Sequence, residues 1–215
     1  MAQCNVRIEP ANVAAVGIPH YLEMLTARLQ FLTQADVNVE ADRWLRHQGV
    51  DLPAAINLAG PLIESNICTL PGSLFSFAGS RPDFFPAFVH LVHDRDAETE
   101  VDLIAWTRDR PQHVLRYFAY ADCLASDQVE NPTTYFAGAG LLLHGSPLDW
   151  LRCGCRGAVV FDFDNFHRRL ERLRPDVRHC RIVGNTVAHA RSLEKRLKPL
   201  PDRVEIYVRA SQVIR

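Results

Sequence analysis

Long apolar runs are missing from this chain. No stretch approaches the roughly 18 consecutive apolar residues of a membrane-spanning helix, and Met1 to Glu9 contain no apolar signal core. The expectation is a cytoplasmic protein with no membrane partner. Cysteines are few and scattered, at Cys4, Cys68, Cys123, Cys153, Cys155 and Cys180. That pattern fits reduced thiols better than a disulfide framework. The chain also lacks a Gly-x-Ser-x-Gly elbow, a Walker-type glycine loop and a His-Glu-x-x-His pair. Serine-elbow acyl transfer, P-loop nucleotide hydrolysis and zincin chemistry therefore have no support. Internal repeats and low-complexity tracts are absent as well.

Net charge is nearly absent too, at −1 over 215 residues, but the balance is uneven. From Arg152 to Arg215 there are fifteen Lys/Arg against seven Asp/Glu, and the rest of the chain carries nine against eighteen. A basic C-terminal part beside an acidic body suggests an anionic partner for the former. The same arginines would also suit solvated helix faces. An apolar fraction of 47 % is enough for a real core.

Periodicity divides the chain into a helical N-terminal segment, 1–65, and a mixed-sheet α/β domain, 66–215. Leu22, Leu25, Leu29 and Leu32 recur at helical steps, with Pro19 near the start. Ala41 to Gln48 and Leu52 to Leu62 read as two further helices. Ala87 to His93 and Val101 to Trp106 are rich in β-formers and flank the polar turn Asp94 to Glu98, which predicts a hairpin. His113 to Tyr120 is ambiguous between strand and helix, and Ala119 to Ala125 reads as helical. Leu141 to His144 is a short strand. Ser146-Pro147-Leu148-Asp149 is a helix start, with Ser as N-cap, Pro at the first position and Asp at the third. A strand from Arg178 to Val183, a helix from Thr186 to Leu197 and a strand from Val204 to Val208 complete the chain. The fold class expected is α/β or α+β: a mixed sheet with C-terminal β-α-β-α-β units.

The stretch Arg156 to Asn165 unites apolar patterning with two carboxylates. Read as a strand, it places Val159, Phe161 and Phe163 on one face and Val160, Asp162 and Asp164 on the other. Phe166, Leu170 and Leu173 then follow at helical spacing, with Asp164 or Asn165 as the N-cap. Two carboxylates at a strand-to-helix junction occupy the edge where open α/β sheets bind ligands.

Val101 to Trp106 and Ser146 to Asp162 resemble uncharacterised bacterial proteins met among prophage genes. The likeness spans the last two thirds of the chain and implies no particular activity, though such a setting favours a nucleic-acid-related role. Asp162-Phe163-Asp164 also resembles the second motif of Toprim domains, in which an Asp-x-Asp at a strand end holds Mg²⁺ with a glutamate from an earlier strand. This sequence departs from that pattern, having no Glu-Gly at the close of an earlier apolar strand. Similarity to haloacid-dehalogenase phosphatases is broken where Asn165-Phe166 replaces Gly-Thr. Asp162-x-x-Asn165 is similar to the first motif of PIN-like nucleases, without their later acidic residues.

Three functions follow as expectations. The first is an accessory, non-catalytic module that binds nucleic acid or another polyanion through Arg168, Arg169, Arg172, Arg191 and Lys195. The second is a protein–protein adaptor or structural component. The third is an enzyme of Mg²⁺-dependent phosphoryl transfer or phosphodiester hydrolysis, with Asp162 and Asp164 as metal ligands. Outside that third case no cofactor is expected. Cys153-x-Cys155 with His144, or with His179 and Cys180, is poorly spaced for zinc. His90 and His93 would point to opposite faces of a strand. His189 with Arg191, Lys195 and Arg196 suits either a phosphate or solvent.

Overall fold

The computed structural model describes residues 39–77, 83–93, 100–173, 180–199 and 204–208. The expected helix from Tyr21 to Leu32 and the turn from Asp94 to Glu98 lie outside them. The class is as expected: helices with mixed sheets, preceded by a helical segment. The chain forms two compact units, Met1–Val92 with Glu100–Tyr120 and His93–Thr99 with Ala121–Arg215. The expected boundary at residue 65 instead falls inside a strand.

In the first unit, α1 (Val39–His47) buries Ala41 and Leu45. The next helix, α2 (Leu52–Ala59), is capped by Asp51, whose side chain accepts from the Ala54 N–H, and has proline in its first turn. Five strands follow: β1 (Leu62–Leu70), β2 (Leu74–Phe77), β3 (Phe85–His93), β4 (Glu100–Trp106) and β5 (Leu115–Arg116). They close into a barrel in the order β1-β2-β5-β4-β3. β3 and β4, expected as the two arms of a hairpin, are neighbours in this barrel and not in a single mixed sheet.

Ala87, Val89, Leu91, Leu103 and Ala105 pack in the barrel core with Ile67 and Phe75. Alternation sends Phe88, His90 and Trp106 to the other face. There Trp44 of α1 stacks on Phe88 with centroids 5.5 Å apart. Arg108 lies 5.6 Å from the Trp44 centroid and pairs with Glu64 at 2.6 Å. Coverage of both faces explains why β3 is buried continuously from Ala87 to Val92. Asp102, fully buried, accepts from the N–H groups of Leu103, Phe118 and Tyr120 at 2.8, 2.8 and 2.9 Å.

The second unit begins with β6 (Cys123–Leu124), where a helix from Ala119 to Ala125 was expected. Ala119 and Ala125 both have φ of 62°, which no helix accommodates. A short helix, α3 (Ser126–Glu130), and a 3-10 segment (Pro132–Gly138) lead into alternating elements: β7 (Leu141–His144), α4 (Pro147–Arg152), β8 (Ala158–Val160), α5 (Phe163–Glu171), β9 (Cys180–Gly184), α6 (Val187–Arg196) and β10 (Val204–Val208). The sheet order is β10-β9-β7-β8-β6. β7 to β10 run parallel and β6 is an antiparallel edge. Leu141, Leu143, Ala158 and Ile182 from the strands pack with Phe166, Leu170, Leu193 and Leu197. Such strands read as apolar runs because neither face meets water.

Gly157 fixes the entry to β8. It has φ of +85°, and a Cβ there would lie 2.1 Å from the Leu142 carbonyl oxygen. Its N–H donates to Gln128 Oε1 and its carbonyl accepts from Trp150 Nε1 at 3.0 Å. Any side chain would push β8 off β7. Among the described residues no helix is long and apolar enough to cross a membrane.

His90 gives the barrel unit a pH signature. It is fully buried, 6.0 Å from the Trp106 ring, and burial holds its pKa down at about 3. The folded form therefore keeps it neutral, while the unfolded chain takes up a proton below about pH 6.5. Its contribution to stability is complete above that pH. It is lost as pH falls toward 3, at about 1.4 kcal/mol per pH unit. Urea titrations of the wild type between pH 7 and 4 should show that loss, and His90→Leu should flatten the slope by about one proton.

Candidate functional site

The parallel sheet reverses its building direction at β7. β8 joins one side of β7 and β9 the other, so the crevice beyond their carboxyl ends is a topological switch point. His144-Gly145-Ser146 leaves β7 there, and Asn185-Thr186 leaves β9. β7 and β9 pair from Leu141↔Ile182 to Leu143↔Gly184, and one further step sets His144 beside Asn185. The His144 Nε2 lies 2.7 Å from the Arg156 carbonyl oxygen. A carbonyl only accepts, so Nε2 carries the proton and a neutral ring leaves Nδ1 as acceptor. The Asn185 Nδ2 faces that Nδ1 at 3.4 Å, and the Asn185 Oδ1 is buried with no hydrogen bond among the described residues.

Helices start on both sides of this edge. Ser146 caps α4, accepting from the Asp149 N–H at 3.1 Å and donating to Asp149 Oδ2 at 2.8 Å. Asp149 also pairs with Arg152 at 3.4 Å. Thr186 caps α6 through the His189 N–H, 3.1 Å away. Between α5 and α6, over the end of β7, lies a cavity of about 180 Å³. Its walls include His144, Gly145, Phe163, His189, Ser192 and Arg196. The Arg196 guanidinium sits 3.5 Å from the Phe163 ring centroid. Burial lowers the pKa of both His189 and Arg196, while Asp149 pulls His189 the other way. A second cavity, about 330 Å³, shares Phe163 and Arg196 and adds Asp164, His167, Arg168, Glu171 and Lys198.

The acidic pair falls differently from the strand reading. β8 ends at Val160, so Asp162 and Asp164 do not share a strand face. Asp162 is itself the N-cap of α5, where Asp164 or Asn165 was expected: its Oδ1 accepts from the Asn165 N–H at 3.1 Å and its Oδ2 from the Asn165 Nδ2 at 3.2 Å. Asp164 lies exposed in the first helical turn. Among the described residues no group of three or more His, Cys, Asp or Glu is placed to hold a metal ion. Cys68, Cys123, Cys153, Cys155 and Cys180 form no disulfide among the described residues, and burial pushes Cys155 up to about 11.

The five basic candidates separate into two kinds. Arg168, Arg172, Arg191 and Lys195 are exposed. Arg169 is not available in the same way. Its Nε and Nη2 donate to the two oxygens of Asp122 at 2.8 Å each, and its Nη1 to Glu130. Burial works against its charge, but the Asp122 hydrogen bonds and the two carboxylates outweigh it and raise its pKa. Asp122 is buried, and its carbonyl accepts from the Phe161 and Asp162 N–H groups. Arg169 thus ties α5 to the strand edge and is a structural residue.

The switch-point pair His144 and Asn185 was not legible as a site from residue types alone. The available signal was positional: two short strands, each with a glycine at its carboxyl end and a Ser or Thr N-cap just beyond. Comparison with protein families, with characterised proteins and with solved structures finds no match to this chain.

The two kinds of arginine separate by stability. Arg169→Met should cost about 3–5 kcal/mol, because it strands the buried Asp122 carboxylate. Arg168→Ala should stay within about 0.5 kcal/mol of wild type. Chemical denaturation of the two variants checks this.

Proposed function

We propose that the C-terminal unit is a non-catalytic module that binds a polyanion, with nucleic acid as the partner class, across the outer faces of α5 and α6. The observation that carries the reading is uncompensated charge. Among the described residues, no carboxylate pairs with Arg168, Arg172, Arg191 or Lys195, although Glu194 pairs with Lys198 nearby at 3.3 Å. Arg168 on α5 and Arg172 at its C-cap lie four apart, and Arg191 and Lys195 lie four apart on α6, so each pair forms a stripe. The helices are neighbours: Phe163 meets Arg196, and the His167 Nε2 lies 2.6 Å from the Pro199 carbonyl oxygen. Two adjacent cationic stripes suit a phosphate backbone, whose binding releases counterions and needs no base-specific contact.

Replacing Arg168, Arg172, Arg191 and Lys195 together by Ala should weaken binding to a generic DNA or RNA oligonucleotide. It should also flatten the dependence of log K on log salt, by about 0.7–0.9 for each phosphate that is no longer neutralised. Fluorescence anisotropy at several salt concentrations measures both. A wild type that binds neither nucleic acid at low salt removes the proposal and leaves the protein–protein adaptor as the reading to pursue.

A further inference from the structure

The cavity between α5 and α6 is distinct from those outer stripes. Arg172, Arg191 and Lys195 do not line it, and α6 contributes His189, Ser192, Leu193 and Arg196 to its walls. His189, Ser192 and Arg196 occupy positions i, i+3 and i+7 of α6, so they share one face, and that face looks into the cavity. Side chains on a helix lean toward its N-terminus, which brings the long Arg196 side chain back over Ser192 toward the strand edge. Its stacking on Phe163, the first residue of α5, fixes the guanidinium there. Stacking occupies a face of the guanidinium and leaves N–H groups at its edge for an acceptor.

We propose that this cavity is a binding site for a single phosphate group, as inorganic phosphate or the end of a phosphate monoester, held by Arg196, Ser192 and His189. Three observations support it. Among the described residues no carboxylate pairs with Arg196, and a guanidinium at a cavity wall without a counter-charge attracts an anion. Ser192 and His189 add neutral donors on the same helical face. The volume, about 180 Å³, is below that of ordinary drug-sized pockets yet ample for a tetrahedral oxyanion with a short organic stem. The carboxylate that acts on His189 is Asp149, which is already engaged by Ser146 and Arg152. The proposal goes beyond the polyanion reading and does not need it.

The test uses the full chain and inorganic phosphate as the probe, with chloride at matched ionic strength as the control. Isothermal titration and ³¹P line broadening should show saturable binding to the wild type. Arg196→Gln should weaken it at least about tenfold, the loss expected for one charge-assisted hydrogen bond. Ser192→Asp places a like charge in the cavity at an exposed helix position and should abolish binding. That variant serves as the arbiter if Arg196→Gln disturbs the packing on Phe163. The triple replacement of Arg172, Arg191 and Lys195 by Ala should bind phosphate as the wild type does, even if it no longer binds nucleic acid. The proposal is overturned by an absence of saturation at tens of millimolar phosphate, by equal affinity in Ser192→Asp, or by loss of binding in the triple variant alone.

Discussion

The second unit depends on one buried ionic contact. Asp122 stands at the start of the antiparallel edge strand, where its carbonyl terminates β8 and its carboxylate receives Arg169 from α5. A single residue therefore sets the end of a strand, the start of a helix and the angle between them. Two charges out of water gain little net energy over an apolar pair, but either one alone is severely destabilising. The contact acts as a specificity device: the sheet edge and the helix are correct together or not at all. With that junction fixed, Asp162 falls at the N-cap of α5.

Local signals carry most of the elements. Ser146-Pro147 starts α4 as the capping chemistry requires, and Thr186 starts α6. Asp162 shows how near a correct reading can stand to an error. Alternation continued past Val160 suggests a long strand, yet Asn165 offers both its backbone and its side-chain N–H to the same carboxylate, and that local capping ends the strand early. Alternation alone places two aspartates on one face and cannot show that the first is already engaged.

Long-range features are less legible. The barrel closes through β5, only two residues long, which pairs with β2 through Leu74↔Arg116. A strand that short has no periodicity to detect. The order of parallel strands is likewise absent from any window of sequence, and so is the meeting of His144 with Asn185, 41 positions apart. Arg169 reads like its neighbours because an arginine within a basic run looks the same whether it faces solvent or a carboxylate 47 residues away. Composition reports charge, and only the fold reports which charges are spent.

Asp102 in the barrel has a consequence for how that unit comes apart. The backbone beyond β5 has little ladder to hold it, and the N–H groups of Phe118 and Tyr120 end instead on one carboxylate rooted in β4. Their release is thus a single event and not a progressive fraying. Amide exchange at those two positions is set by the same opening, the withdrawal of one side chain, so the pair behaves as a latch whose two teeth disengage in one motion.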